Sequence, residues 1–190
     1  SPDGVVPAMK IVAVLTILSV APAILLMMTS FTRILIVLSF VRQAIGTQTM
    51  PPNQVVVGLS LFLTMFTMMP LWEVIDKNAL TPYIEKQIDQ STAIDELIAP
   101  VRSFMLKETR KDDLALFYRI SKLEKPENPD EISMSVLMPS FMISELKTAF
   151  QMGFLIYIPF LIIDMVISSI LMAMGMMMLP PTVVSLRSEE

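Results

Sequence analysis

Three stretches of this chain carry no charged side chain over more residues than a helix needs to cross a bilayer. They are Ile11–Thr32 (22 residues), Gln43–Trp72 (30) and Met165–Leu186 (22). A fourth, Thr148–Ile163 (16 residues), is parted from the third by Asp164 alone. About 20 helical residues, rising about 1.5 Å each, cross a hydrocarbon core of about 30 Å. A soluble core helix of that length keeps a polar stripe. The first two runs are therefore each expected to span. The last two, Thr148–Leu186, are expected to form one long broken helix or a tight hairpin. Ile11–Thr32 is longer than the apolar region of a cleaved signal peptide, and no small-residue cleavage pattern follows it.

The charges gather elsewhere. Glu73–Glu131 holds 13 acids and 9 bases, leaving 10 of the 32 charged residues for the rest of the chain. That segment reads as a helical insertion facing water. A net charge of -4 argues against a nucleic-acid-binding face. Arg33 and Arg42 lie between the first two runs with no acid nearby, so the positive-inside rule puts that link in the cytoplasm. The N-terminus and the charged middle then lie outside, which implies a signal peptide removed upstream of Ser1. The third apolar region returns the chain inward unless it is a hairpin.

The side-chain inventory narrows the chemistry. The chain has no Cys and no His. That removes thiol nucleophiles, zinc–thiolate sites, the commonest general base and the commonest neutral metal ligand. Only five glycines are present, with no phosphate-cradling loop among them, and no Lys sits inside an apolar run to serve a Ser–Lys dyad. No catalytic, cofactor or metal site is expected, and any work done must draw energy from elsewhere.

Locally, Asp3-Gly4 and Pro7 read as a lead-in to a helix over Ile11–Ser30, kinked near Ser19–Pro22. Ile34–Val41 either extends that helix or lies along a neighbour. Gly46–Pro52 reads as a turn, with Pro51-Pro52 opening a helix over Val55–Met69 that Pro70 ends or kinks. In the charged middle, Thr81-Pro82 reads as a helix cap and first position. Ile84, Ile88, Ile94 and Ile98 recur at helical spacing, and Val101, Phe104 and Met105 form a second stripe. Asp112 or Asp113 is expected to cap a third helix with Leu114, Phe117 and Ile120 on one face. Glu124–Glu131 reads as a polar loop. The expected divisions are 1–72 (apolar helices), 73–133 (charged insertion), 134–186 (apolar helices) and 187–190 (tail).

Several residues stand out as candidates. Met176, Met177 and Met178 are consecutive, follow Gly175 and precede Pro180-Pro181. Methionine is unbranched and deformable. The cluster is either lipid-facing filler or a soft constriction that gates by excluding water, with Gly175, Pro180 and Pro181 as the hinge. Asp164 interrupts an apolar stretch, where a carboxylate is costly. It reads as a proton-sensing group, an interhelical bond or a cap. Glu145 and Lys147 are two apart and do not face each other on one helix. They form a solvated helix end or pair with different neighbours, and in a ring Glu145 would bridge adjacent subunits. Arg33 and Arg42 read as topology and headgroup anchors, or as partners of other subunits or lipids.

Three stretches go further. Met27–Val55 reads MMTSFTRILIVLSFVRQAIGTQTMPPNQV, Ser140–Phe154 reads SFMISELKTAFQMGF, and Pro159–Pro181 reads PFLIIDMVISSILMAMGMMMLPP. Together they resemble the FliP family of flagellar biosynthetic proteins, from about Ile11 to Leu186. The injectisome counterpart shares the PPN turn and the Met cluster, while Thr32-Arg33 and Arg42-Gln43 side with the flagellar branch. The resemblance implies an all-α integral membrane protein of helical hairpins with a helical extracytoplasmic insertion, assembled into a helical ring. It implies a ring of five with FliQ and FliR, working beside FlhA and FlhB in the bacterial inner membrane at the flagellar basal body. The charged middle then faces the periplasm. Unfolded flagellar subunits pass through a closed pore sealed by a methionine gasket at Met176, Met177 and Met178. Much of such a complex stands above the membrane plane, so its hairpins pack on neighbours more than on lipid. Family members continue past the Pro-Pro turn into a further apolar segment, where this chain reads SLRSEE. The competing readings are the injectisome paralogue, a scaffold that only nucleates the ring, and a small proton-coupled transporter using Asp164. A transporter calls for inverted repeats and paired midplane polar sites, and neither is visible.

Overall fold

The computed structural model describes residues 2–46, 50–124, 126 and 128–175. Every regular element among them is helical, and the all-α expectation holds. The elements are α1 (Pro2–Met27), α2 (Phe31–Ala44), α3 (Asn53–Thr67), α4 (Met69–Ile75), α5 (Thr81–Ile84), α6 (Gln90–Glu108), α7 (Lys111–Ser121) and α8 (Met134–Ala173). Two of them, α1 and α8, contain stretches long and apolar enough to cross a bilayer.

The first apolar run differs from expectation at both ends. The chain is already helical from Pro2, so Asp3-Gly4 and Pro7 are not a lead-in. Pro2 at the first helical position sacrifices little, because the first N–H groups have no intrahelical acceptor. After Met27 the helix closes on itself: the Met28 N–H donates to the Ile24 carbonyl at 3.0 Å, and the Thr29 hydroxyl to the Leu26 carbonyl at 2.7 Å. Ile34–Val41 therefore sits in its own helix, α2, and does not extend α1.

The second apolar run is not one straight span. It divides into α3 and α4 around Met68, with Pro70 in the first turn of α4. Pro51 and Pro52 stand before α3, and the Pro52 carbonyl accepts the Val55 N–H at 2.9 Å. Fifteen residues give about 22 Å of helix, short of a bilayer core. A third crossing exists only as a broken span that joins α3 to the segment after it.

Thr81 is not a cap. It lies inside a helical run from Met69 to Ile84, with a π-turn over Asp76–Leu80. Pro82 has no N–H, and its ring clashes with the carbonyl one turn back. The ladder shifts just before it, and the Thr81 N–H reaches the Asp76 carbonyl five residues back. The run ends with Lys86 in the left-handed region (φ 59). There the Lys86 N–H bonds the Tyr83 carbonyl at 3.0 Å, and the Gln87 N–H bonds the Pro82 carbonyl at 2.8 Å, a Schellman ending. This turn splits the isoleucine stripe, and Ile84 is left 75% exposed.

α6 opens on Asp89. Its carboxylate accepts the Ser91 hydroxyl at 2.5 Å, the Thr92 hydroxyl and the Thr92 N–H at 3.2 Å. Those bonds, the Ser91 hydroxyl first, lower the Asp89 pKa to about 2. In α7 the cap position belongs to Arg110, and Asp112 and Asp113 occupy the first turn, where the helix dipole favours acids. The inward face is Leu114, Phe117 and Tyr118, at i, i+3 and i+4. Ile120 lies off that face and is exposed.

α8 runs unbroken through Pro139 and Pro159 for 40 residues, about 60 Å. It starts well before Thr148, so the expected break or hairpin does not occur within the described part of Thr148–Leu186. That length is about twice a hydrocarbon core.

The chain forms two compact units. The first combines the chain up to Ser30 with Met68–Met142. Its core is Met105 of α6, Tyr118 of α7, Ile132 just before α8, and Val136, Leu137 and Phe141 at the start of α8. Phe104 meets Phe141 edge to face at 5.8 Å, and an Arg102 guanidinium nitrogen donates to the Ile132 carbonyl. The second unit combines Phe31–Thr67 with the chain from Ile143 onward.

Candidate functional site

The second unit is built from α2, α3 and the later part of α8. Most of its outward surface is apolar: Val55, Phe62 and Phe66 on α3, and Phe154, Leu155 and Met165 on α8, are all exposed. Its interior is where polar groups meet.

α2 and α3 pack together. The buried positions of α3 are Val56, Ser60 and Thr64, one turn apart. The two hydroxyls bond back to their own helix, Ser60 to the Val56 carbonyl at 2.7 Å and Thr64 to the Ser60 carbonyl at 2.6 Å. Small side chains that satisfy themselves in this way let two helices approach closely. Arg42, in the last turn of α2, donates to Asn53 Oδ1 at 2.5 Å and to the Pro51 carbonyl at 3.5 Å. It thereby clamps the far side of the turn to the helix before it.

The charged centre of the unit joins α2 to α8. Arg33 Nε donates to Glu145 Oε2 at 2.8 Å, and Arg33 Nη2 donates to Glu145 Oε1. Glu145 has no solvent exposure, while the Arg33 side chain keeps 24%. A two-point guanidinium–carboxylate pair is both strong and orienting. Further along, Phe40 and Phe150 meet edge to face at 5.7 Å. Residue numbers rise together in both pairings, so α2 and this part of α8 run side by side in the same direction. Glu145, Ala149 and Gly153 recur every fourth residue of α8 and are all buried, and the first and last of them meet Arg33 and Phe40 of α2.

Other candidates sit apart. Lys147 is exposed on α8. Asp164 is half-buried, and its carboxylate has no hydrogen bond or ion pair among the described residues; its backbone carbonyl accepts the Ser168 hydroxyl at 2.7 Å. Gly175 has φ +78 and follows the end of α8, its N–H bonding the Met172 carbonyl at 3.1 Å. Met176, Met177, Met178, Pro180 and Pro181 lie outside the described residues. No group of three or more Asp or Glu among the described residues could hold a metal.

Sequence reasoning assigned Arg33 and Glu145 separate roles and did not pair them. The available signal was the four-residue spacing of Glu145, Ala149 and Gly153, a face slim enough for a close neighbour. It also missed Asn53 as the acceptor for Arg42, and Ser60 and Thr64 as packing residues.

A profile of the FliP family matches residues 14–188. The chain belongs to the FliP family. Its relatives include the flagellar biosynthetic protein FliP of Bacillus subtilis (strain 168), 55% identical over 185 residues, covering 97% of this chain and 84% of that one. FliP of Pectobacterium carotovorum subsp. carotovorum is 52% identical over 179 residues, covering 94% of this chain and 69% of that one. FliP of Aquifex aeolicus (strain VF5) is 50% identical over 185 residues, covering 96% and 77%. The Arg33–Glu145 pair of this FliP chain joins two of the three stretches that carried the resemblance. The matched region also includes the methionine cluster.

Proposed function

We propose that this chain is a core subunit of the flagellar type III protein export gate. Five copies form a ring with FliQ and FliR, beside FlhA and FlhB, and enclose the closed pore through which unfolded flagellar subunits leave. The observation that carries this reading is the FliP match across residues 14–188, most of the chain. The geometry supports it. Apolar side chains exposed along α3 and α8 need lipid or a neighbouring copy to cover them, and the polar groups turn inward to Arg33 and Glu145. Such a subunit has a mechanical part to play, without catalysis.

In this reading Met176, Met177 and Met178 form the gasket. Gly175, Pro180 and Pro181 are its hinge, and the left-handed Gly175 that follows α8 in sequence is compatible with that part. Glu145, Lys147 and Asp164 serve helix and subunit contacts, and Arg33 and Arg42 help to set the topology. The chain is a membrane-embedded flagellar protein. We place it in the inner membrane with the charged segment 73–133 on the periplasmic side.

Native mass spectrometry of the complex purified from membranes with FliQ and FliR tests the assembly. Five copies of this chain with both partners are expected. A monomer or dimer free of both partners would contradict it.

A further inference from the structure

Gly153 occupies a place where no other residue fits. A Cβ built there falls on the Phe40 ring: of the three ring atoms it meets, even the farthest, Cε2, is only 2.9 Å away. The overlap reaches Cγ, at the root of the ring, so a small swing of the ring tip does not relieve it. The same ring also meets Phe150, one turn earlier on α8, edge to face at 5.7 Å. Two turns earlier on the same face of α8, Glu145 is held by Arg33.

We propose that Phe40 and Gly153 form a steric lock that sets the tilt and rotation of α8 against α2, and so aims the end of α8. Two points along one helix face fix both quantities, where one point fixes neither. Arg33–Glu145 supplies a polar pivot, and Phe40 against Gly153 supplies a close approach that only a missing side chain permits. α8 then runs on to Ala173 without a break. Gly153 is thus a positioning residue, acting through Phe40 and through the helix that follows it. That the aimed end carries the gasket of an export pore rests on the function proposed above; the lock itself does not.

A methyl group at Gly153 pushes the helices apart by roughly 1 Å. With about 1.5 Å of rise per residue and Glu145 as pivot, this grows to about 3 Å at Met172. The chain has no cysteine, so spin labels at Gln43→Cys on α2 and Met172→Cys on α8 report alone. The full chain in detergent is expected to give one narrow distance distribution. Because that displacement is sideways to a mostly axial separation, Gly153→Ala should shift the distance by about 1–2 Å or broaden it, and adding Phe40→Leu should return it toward the original. Loss of stability alone would not move this distance. An unchanged distribution in Gly153→Ala overturns the proposal, as does a shift that Phe40→Leu fails to reverse. Where Gly153→Ala does not fold, recovery of folding by Phe40→Leu supports the lock and failure to recover overturns it. A ring of the wrong copy number, seen by native mass, would count against the proposed function and leave this result standing.

Discussion

Arg33 of α2 holds both carboxylate oxygens of Glu145 of α8, 112 positions further along the chain. A buried ion pair is expensive to desolvate, and its energetic worth over an apolar pair is small. Its geometric worth is larger, because a two-point pair permits one orientation. Breaking it by halves leaves a carboxylate with no solvent to turn to.

Arg33→Gln is therefore expected to destabilise the second unit by about 3 kcal/mol. Arg33→Met combined with Glu145→Leu should cost less than either single change. Urea unfolding of the four proteins in detergent, analysed as a double-mutant cycle, checks this. Additive single effects would mean that the two residues do not act as a pair.

Much of the architecture was legible because lipid-length apolar runs are a strong signal. Helix boundaries were less so, and each miss has a local cause. Pro82 looked like the start of a helix because proline usually is one, yet a π-turn lets it sit inside. The isoleucines at 84, 88, 94 and 98 kept helical spacing across a turn, since period alone does not see Lys86 turn left-handed. The Arg33–Glu145 pair left only an indirect trace, the four-residue spacing on α8, because a sequence shows neighbours on one helix far better than partners on two.

Asp89 supplies a pH dependence. Its carboxyl lies below the ordinary value of 3.8, at about 2, because Ser91 and Thr92 donate to its charged form. The stability it lends the start of α6 is present in full above pH 3.8 and is lost as pH falls toward 2. Hydrogen exchange at the Thr92 amide should speed up across that window once corrected for the intrinsic rate. Asp89→Asn should remove the dependence.

The core of the first unit turns on Phe141, which is fully buried and set edge to face against Phe104. Phe141→Ala removes the ring from both and is expected to cost about 3–5 kcal/mol. Phe141→Leu should cost clearly less. Denaturant midpoints at unchanged slope would show the difference.

Lys86 pays for a conformation that glycine adopts freely. Lys86→Gly should stabilise the end of α5 by about 0.5–1 kcal/mol, net of the added freedom of the unfolded chain. A raised melting temperature is the expected outcome, and a lowered one would show that the lysine side chain has a packing role.

Ion conductance of the purified complex in a planar bilayer speaks most directly to the export-gate reading. The complex of this chain with FliQ and FliR should be silent as isolated. Replacing Met176, Met177 and Met178 together with glycine, while native mass shows the same copy number, should open a steady leak. An assembled complex that stays equally silent after that replacement would contradict the seal.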